Sequence, residues 1–287
     1  MHKKIYMIIT GLFLMSFLLL SVPVQAEKAT DTAIVENMQE TIDAIQAIQP
    51  DEVPDFDDDS EINREDLFDI SDYFDVFTHL SMEDGYTLDY FIVGDDFFGS
   101  CPLTYVRETD SDPITTYEEY EQEAEAQYDL NNMYNLIGFV MGEDPNVFED
   151  KIHIDGTPEG YVEYVLLQVM GAQFYLTWHA LYNDAIPVCD NAAFEPVLTE
   201  ALGYFSMGSE ESHEDLAPKA EIMAKGKFVD FRPLVEFKDD TVDVTIMTFT
   251  KWGGLIKTTY TIERYYPHSI VNVFSQTLID YQCGAMF

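Results

Sequence analysis

Basic residues are scarce in this sequence. Lysine and arginine number 14 among 287 residues, against 54 aspartates and glutamates, and the formal net charge is −40. Nucleic acids and anionic membranes are bound through clusters of positive charge, so this balance excludes a protein that binds nucleic acid or acidic membrane surfaces. The composition favours a cationic partner, or a ligand that stacks on the many aromatic side chains.

Cysteines are also few. Cys101, Cys189 and Cys283 are too few for a scaffold held by several disulfides, and they show no CxxC spacing. They allow one disulfide. We expect it between Cys189 and Cys283, at the ends of predicted strands, with Cys101 left as a free thiol. Three buried thiols remain the alternative.

The motifs of common enzymes are missing. There is no glycine-rich phosphate loop, no HExxH helix and no GxSxG turn around a nucleophile. A nucleophilic pair of Cys189 and His179 would need a contact in space that the sequence does not establish. The histidines also lack the spacing of a metal site; they include His153, His179, His213 and His268. The sequence therefore favours a protein without enzymatic activity. Outside the acidic segment at residues 51–66, it predicts no metal or cofactor.

The chain begins with an apolar segment and otherwise has the composition of a packed globule. Hydrophobic residues make up 47% and aromatic residues 14% of the sequence, which is more than a disordered acidic chain carries. Lys3 and Lys4 precede an apolar run over residues 5–21, and Val24 and Ala26 offer a cleavage site. This pattern predicts a signal peptide over residues 1–26 and a secreted, extracellular protein without a membrane anchor.

The negative charge lies almost entirely in the first part of the chain. Residues 27–218 contain 46 acidic and 4 basic residues, whereas residues 219–287 contain 8 of each. Such a surface attracts cationic partners at salt-sensitive rates, or it serves only to keep the protein soluble. Both interpretations remain open.

Three regions follow the signal peptide. Residues 27–50 are predicted to contain an amphipathic helix, because Val35, Met38, Ile42 and Ile45 form an apolar stripe that ends before Pro50. Residues 51–66 form an acidic linker. Residues 67–287 are predicted to form a single α+β globular domain.

The acidic linker contains one candidate metal site. Residues 55–66 carry oxygen-bearing side chains at loop positions 1, 3, 5, 9 and 12, namely Asp55, Asp57, Asp59, Asn63 and Asp66. This spacing resembles the calcium loop of EF-hands, and more closely the dockerin form that ends in Asp. The resemblance implies Ca²⁺ binding. Ser60 occupies the position where the loop turns sharply and where the pattern has glycine.

The fold is predicted as α+β with a mostly antiparallel sheet. Four segments rich in β-branched and aromatic residues follow one another with short breaks, at residues 228–237, 241–249, 255–264 and 270–281. Short breaks permit only antiparallel neighbours, which predicts a C-terminal four-stranded meander. Pro233 cannot donate to a sheet, which predicts an edge or a bulge in the first strand.

The remaining elements are predicted from local patterns. Strands are expected at residues 74–80, 86–93 and 103–106, with a hairpin turn at residues 83–85. The continuous apolar run 162–170 predicts a central strand, paired in a hairpin with residues 173–182. Two or three helices at the edge of the sheet complete the fold; they include residues 191–202 and 216–224.

The candidate functional residues are aromatic and polar side chains in two short stretches. They are Trp178, His179, Asn183, Asp184 and Trp252. They favour a non-enzymatic extracellular binding or interaction module whose aromatic side chains contact the ligand. A secreted hydrolase that uses carboxylates or His179 is the first alternative. Calcium-dependent binding through residues 55–66 is the second.

The first prediction concerns the mature N-terminus. Cleavage after Ala26 should leave a secreted chain that begins at or near Glu27. Intact-mass spectrometry of protein collected from the culture medium checks this. Secreted material that still contains Met1 would refute the signal peptide.

Overall fold

The computed structural model describes residues 27–29, 32–50, 67–95, 99–116, 119, 151–177, 185–203 and 216–282. The described chain is mixed α+β, and all of its strand pairs are antiparallel. The strands are β1 Glu27–Ala29, β2 Leu80–Met82, β3 Tyr86–Asp95, β4 Gly99–Glu108, β5 Ile152–Ile154, β6 Ile186–Val188, β7 Leu234–Phe237, β8 Thr241–Thr250, β9 Gly254–Glu263 and β10 Ile270–Ile279. The α-helices are α1 Thr32–Ile48, α2 Tyr73–Val76, α3 Pro158–Met170, α4 Asn191–Gly203 and α5 Leu216–Gly226. None of the described helices is long and apolar enough to cross a membrane.

The predicted meander is confirmed. Strands β7, β8, β9 and β10 lie side by side in sequence order, with β1 added beyond β7 and β6 paired with β8. The first strand is shorter than predicted and begins at Leu234, so Pro233 lies just before the ladder. The prediction that Pro233 marks an edge strand or a bulge was wrong. Strand β7 pairs with β8 on one side and with β1 on the other.

Strand β8 is central because both of its faces are covered. Val242, Val244 and Ile246 point into the main core, which also contains side chains of α1 and α3. Met247 and Phe249 have the opposite parity and belong to a second core with α4. Side chains alternate across a strand, so an almost continuous apolar run is what two buried faces require.

Helix α3 is the centre of the main core, and the prediction of a strand over residues 162–170 was wrong. Its side chains are buried on every side, and Val162, Val165 and Leu166 are inaccessible to solvent. A helix that is buried all round shows no 3.6-residue period, so its apolar run resembles that of a central strand. The start signal is present, because the Thr157 hydroxyl accepts from the Gly160 N–H (3.1 Å) and Pro158 follows in the first turn.

The second arm of the predicted hairpin is not a strand in its described part, residues 173–177. Residues 178–182 lie outside the described residues. Helices α4 and α5, in contrast, confirm the predicted helices at residues 191–202 and 216–224.

Helix α1 packs directly against α3. Three members of the predicted apolar stripe, Met38, Ile42 and Ile45, are buried. Val35 is only partly buried, and its neighbour Ile34 is buried instead. The side-chain amide of Gln49, just after the helix, donates to the Tyr73 hydroxyl and to the Met170 carbonyl, both at 2.7 Å. These bonds join the end of α1 to the end of α3.

Both described cysteines are free thiols. The Cys189 thiol donates to Oε1 of Gln39 at 2.9 Å, and burial raises its pKa to about 11. The predicted disulfide between Cys189 and Cys283 is therefore wrong for Cys189, which is a buried hydrogen-bond donor beside α1. Cys101 is a buried free thiol, as predicted, and Cys283 lies outside the described residues.

The segment before β2 is helical, so the strand predicted at residues 74–80 was wrong. Asp69 caps a 3-10 turn at Ile70–Asp72 by accepting from the Ser71 N–H (3.0 Å), and α2 follows. Strand β2 pairs with β5 rather than with β3. The turn at residues 83–85 therefore connects two different sheets and is not a hairpin. Strands β3 and β4 do form a hairpin, which is longer than predicted and closes at Asp95 and Gly99.

The second prediction concerns Gly254, which brings the start of β9 close to the end of β10. Its φ is +79°, and a Cβ there would lie 2.1 Å from the Ile279 carbonyl oxygen. Gly85 is the matched control, because its φ is +87° and a Cβ at that position would have no neighbour within 4 Å. Gly85→Ala should lower the free energy of unfolding by about 1–2 kcal/mol through backbone strain alone. Gly254→Ala should lower it by about 3 kcal/mol or more.

Chemical denaturation of both variants measures these losses. Equal losses would show that the contact between Gly254 and Ile279 contributes nothing beyond the backbone conformation.

Candidate functional site

The structure does not bring the predicted site residues together. Trp178, His179, Asn183 and Asp184 lie outside the described residues, as does the calcium-like loop at residues 55–66. Trp252 lies in the β8–β9 turn and is only half-buried, next to the buried Lys251. Trp252 is therefore the one predicted site residue whose surroundings are described.

A histidine–carboxylate pair lies where β2, β5 and α3 meet. Nδ1 of His79 donates to Oδ2 of Asp155 at 2.7 Å. The Asp155 N–H donates to the His79 carbonyl at 3.1 Å, which continues the pairing of the two strands. The Thr157 hydroxyl donates to Oδ1 of the same carboxylate at 2.6 Å. Both oxygens of Asp155 are thus held, and the carboxylate holds the imidazole in a fixed orientation.

A buried carboxylate lies behind this pair. Glu163 on α3 is only 1% exposed. Its Oε2 accepts from the His79 N–H at 2.8 Å, and its Oε1 accepts from the Thr78 hydroxyl at 3.4 Å. The Asn37 side chain of α1 also hydrogen-bonds to it. A buried carboxylate needs such donors, because its desolvation is costly without them.

The charges of these groups are coupled. Burial alone would lower the pKa of His79, but the hydrogen bond to Asp155 and the charges of Glu163, Asp155 and Glu159 raise it. Burial raises the pKa of Glu163, and the donors around it only partly offset that effect. Burial also opposes ionisation of Asp155, yet the hydrogen bonds from Thr157 and His79 lower its pKa. The site thus stabilises the protonated form of His79 and the ionised form of Asp155.

Glycine at position 160 allows the helix to approach the pair. A Cβ there would lie 2.7 Å from Oδ1 of Asp155 and 2.9 Å from Cγ2 of Ile154. A larger residue would push the first turn of α3 away from β5.

The pair has the arrangement of a general base. An imidazole whose Nδ1 donates to a carboxylate presents Nε2 to a substrate or a water molecule. Catalysis also needs a concave site for the substrate. One surface depression lies along α4 and shares no lining residue with the pair; its lining is Ala192, Glu195, Pro196, Thr199 and Glu200.

A second group of side chains fixes the β9–β10 loop. Tyr266 stacks on His153, with ring centroids 4.4 Å apart and an interplanar angle of 14°. Its hydroxyl donates to the Glu83 carboxylate, which also accepts from Lys151 Nζ at 3.2 Å. Burial raises the pKa of Tyr161 to about 12, so its hydroxyl stays protonated and donates to the Arg264 carbonyl at 2.8 Å. The loop is thus joined to β5 and to α3.

The exposed apolar side chains collect on this loop and on β10. In the part of the chain that the structure describes, six large hydrophobic side chains are exposed, and five lie between residues 265 and 274. We call these five the hairpin surface: Tyr265, Tyr266, Val271, Val273 and Phe274. Residues 265–279 contain no Asp, Glu, Lys or Arg. An uncharged, apolar surface on so acidic a chain is typical of a contact site.

Within the described residues, no group of three or more histidine, cysteine, aspartate or glutamate side chains is arranged to hold a metal ion. His153 and His268 are described, and both belong to the surroundings of Tyr266. Burial lowers the pKa of His268, which favours the neutral imidazole; its Nδ1 donates to the Glu263 carbonyl at 3.2 Å.

Neither feature was predicted from the sequence. His79 lies 76 residues before Asp155 and 84 residues before Glu163, and both His79 and Glu163 lie in segments whose structure was predicted wrongly. The signal that was available is Thr157 followed by Pro158 and Glu159, a typical helix start that would have placed Glu163 on a helix. The exposure of β10 has no comparable signal, because it depends on what the rest of the fold covers.

The third prediction concerns the pH dependence of stability. His79 and Glu163 both have a raised pKa in the folded protein, so each stabilises the fold below its unfolded pKa and loses that effect as the pH rises through its folded pKa. The free energy of unfolding should therefore fall between about pH 5 and about pH 8. Asp155 has a lowered pKa, so its contribution to the free energy of unfolding is lost as the pH falls. That loss occurs in more acidic solution, below the pH range of this prediction.

His79→Asn and Glu163→Gln remove the two titrations and keep side chains that can hydrogen-bond. The loss of stability between the two pH values should be smaller in each variant and smallest in the double variant. Denaturant titrations at both pH values measure it. A loss in the double variant equal to that of the wild type would contradict the role of this site.

No family model matches the sequence, and no curated protein or solved structure matches the chain significantly. The comparisons therefore assign neither a family nor an activity. The function has to be inferred from the pair at His79 and from the hairpin surface.

Proposed function

We propose that this protein is exported and binds a partner outside the cell through the hairpin surface, without catalysing a reaction. The observation that carries the proposal is the concentration of exposed apolar side chains on an uncharged hairpin. Tyr265 is 65% exposed and Phe274 is 63% exposed. Exposed apolar residues scattered over a surface are normal, but their concentration in one short segment supports an interaction site.

The hairpin surface is well suited to binding because it is fixed in place. Its loop is held by the bonds of Tyr161 and Tyr266, and its far end by Ile279, which is 3% exposed. Little conformational freedom is left to lose when a partner docks, so more of the contact energy is available for affinity. Aromatic side chains such as Phe274 contribute a large share of that energy at protein interfaces.

The charge of the chain restricts the partner. The net charge of −40 repels an acidic partner, and the repulsion is weakest where the contacting surfaces of both molecules are neutral. The hairpin surface itself contains no acidic residue, so a cationic ligand cannot form an ion pair with it. A contact dominated by apolar and backbone groups fits it best. Trp178 and Trp252 remain predicted contacts for a ligand that stacks on aromatic rings.

A hydrolase is the second candidate, and one observation favours it. His79 Nδ1 and Asp155 Oδ2 lie 2.7 Å apart, which is the geometry that orients a histidine as a general base. This alternative assigns the role that the sequence suggested for His179 to a different histidine.

The fourth prediction locates the binding surface. A photo-reactive phenylalanine analogue placed at position 274 should form adducts with a partner from the culture medium. Phe228 is the matched control, because it is a phenylalanine, is 92% exposed and lies outside the hairpin surface. Mass spectrometry should detect adducts at position 274 and few at position 228. Equal labelling at both positions, or none at 274, would refute the proposal.

The hydrolase alternative is tested on the same protein. The wild type should show no turnover of a panel of glycan, peptide and ester substrates. Turnover by the wild type that is lost in His79→Asn, with the circular-dichroism spectrum and melting temperature retained, would replace the binding function with a catalytic one.

A further inference from the structure

The structure points to a second copy of this chain as the partner, with β10 of one copy paired antiparallel to β10 of the other. This inference rests on the proposed function of the hairpin surface. It concerns the backbone of β10 as well as its side chains.

Strand β10 is an edge of the described sheet. Among the described strands it pairs only with β9. An edge strand presents a row of N–H and C=O groups that can pair with another strand. Proteins usually protect such edges with lysine, proline, bulges or a short strand. Strand β10 is ten residues long and contains no lysine or proline.

The irregular pairs lie near the ends of the strand. The pairing of β10 with β9 shifts between Ile270 and Asn272 and again between Thr277 and Ile279. From Asn272 to Thr277 the register is continuous. Six residues of regular strand are therefore available at this edge, which matches the mean length of a strand in globular proteins.

Both faces of this segment are open. Residues 271–277 are all exposed. Val273 pairs with Tyr260 and Phe274 with Thr259, so the two apolar side chains point to opposite faces of the sheet. A strand added at this edge would thus contact one apolar side chain on each face. A partner that only covered one face would leave either Val273 or Phe274 in water.

The charge distribution favours a second copy. Two chains of charge −40 repel each other, and the repulsion is weakest where both surfaces are neutral. Residues 219–287, which contain the meander, carry 8 acidic and 8 basic residues, and residues 265–279 carry neither. A basic partner would be attracted more strongly to the acidic part of the chain than to this neutral edge.

Two-fold symmetry makes the contact self-complementary. Two edge strands related by a two-fold axis perpendicular to the sheet run antiparallel, so each copy offers the other an identical strand. Both strands are held at their ends before they meet, by the loop bonds and by the buried Ile279. The contact therefore requires no folding on binding, unlike the addition of a flexible peptide.

The fifth prediction is tested by sedimentation velocity of the mature protein. The wild type should form dimers, and added sodium chloride should strengthen them by screening the repulsion between acidic copies. Val273→Lys should raise the dissociation constant at least about tenfold, because it places a charge at the centre of the paired strands. Lysine lowers the net negative charge, so a loss of dimer in this variant cannot result from greater repulsion.

Phe228→Lys is the matched control, since it makes the same change of charge at an exposed apolar residue outside the hairpin surface. It should leave the dissociation constant unchanged. Ser275→Lys, which replaces a polar residue in the same strand, serves as a second test if Val273→Lys lowers the melting temperature.

The outcomes separate this inference from the proposed function. A chain that stays monomeric in high salt, while position 274 forms adducts with another molecule, overturns the pairing of copies and leaves the binding function intact. Dimers that persist in correctly folded Val273→Lys and Ser275→Lys also overturn it. A monomeric chain with no adduct at position 274 overturns both.

Discussion

The complete burial of helix α3 is the constraint on which the rest of the structure depends. Val162, Val165 and Leu166 are removed from water, and each such side chain stabilises the fold by about 1.5–3 kcal/mol. A helix can be covered on every side only if several elements pack around it. Helix α1, strand β8 and the ribbon of β2 and β5 supply that cover. This explains why the N-terminal helix belongs to the same core as a meander that follows it by nearly two hundred residues.

The polar groups of α3 then determine where the candidate sites lie. Glu163 accepts from the His79 N–H and so fixes the histidine that faces Asp155. Two residues earlier, the Tyr161 hydroxyl donates to the Arg264 carbonyl and fixes the loop that begins the hairpin surface. One turn of a buried helix thus connects the charged pair and the apolar hairpin. Within the meander, β8 is covered on both faces. Residues 271–277 of β10, which follow this loop, are exposed.

The sequence predicted those elements whose pattern is set by one covered face. The stripe of Met38, Ile42 and Ile45 has such a face, and these three residues are buried as predicted. Helix α3 has no uncovered face, so its pattern carried no period and was read as a strand. The pair of His79 and Asp155 joins residues 76 positions apart, and no local pattern encodes that contact. The exposure of Val273 and Phe274 depends on where the core ends, and the amino-acid sequence alone does not show this.

We propose that the backbone edge of β10 is the contact between two copies of this chain. Hydrogen–deuterium exchange of the mature protein, compared at low and high protein concentration, measures this contact at the backbone amides themselves. Pairing of two edges protects every second amide, those that point away from β9, because the other amides already bond to that strand. This protection should appear between Asn272 and Thr277 only at high protein concentration, and it should be absent in Val273→Lys. Exchange in β10 that does not change with concentration would contradict it.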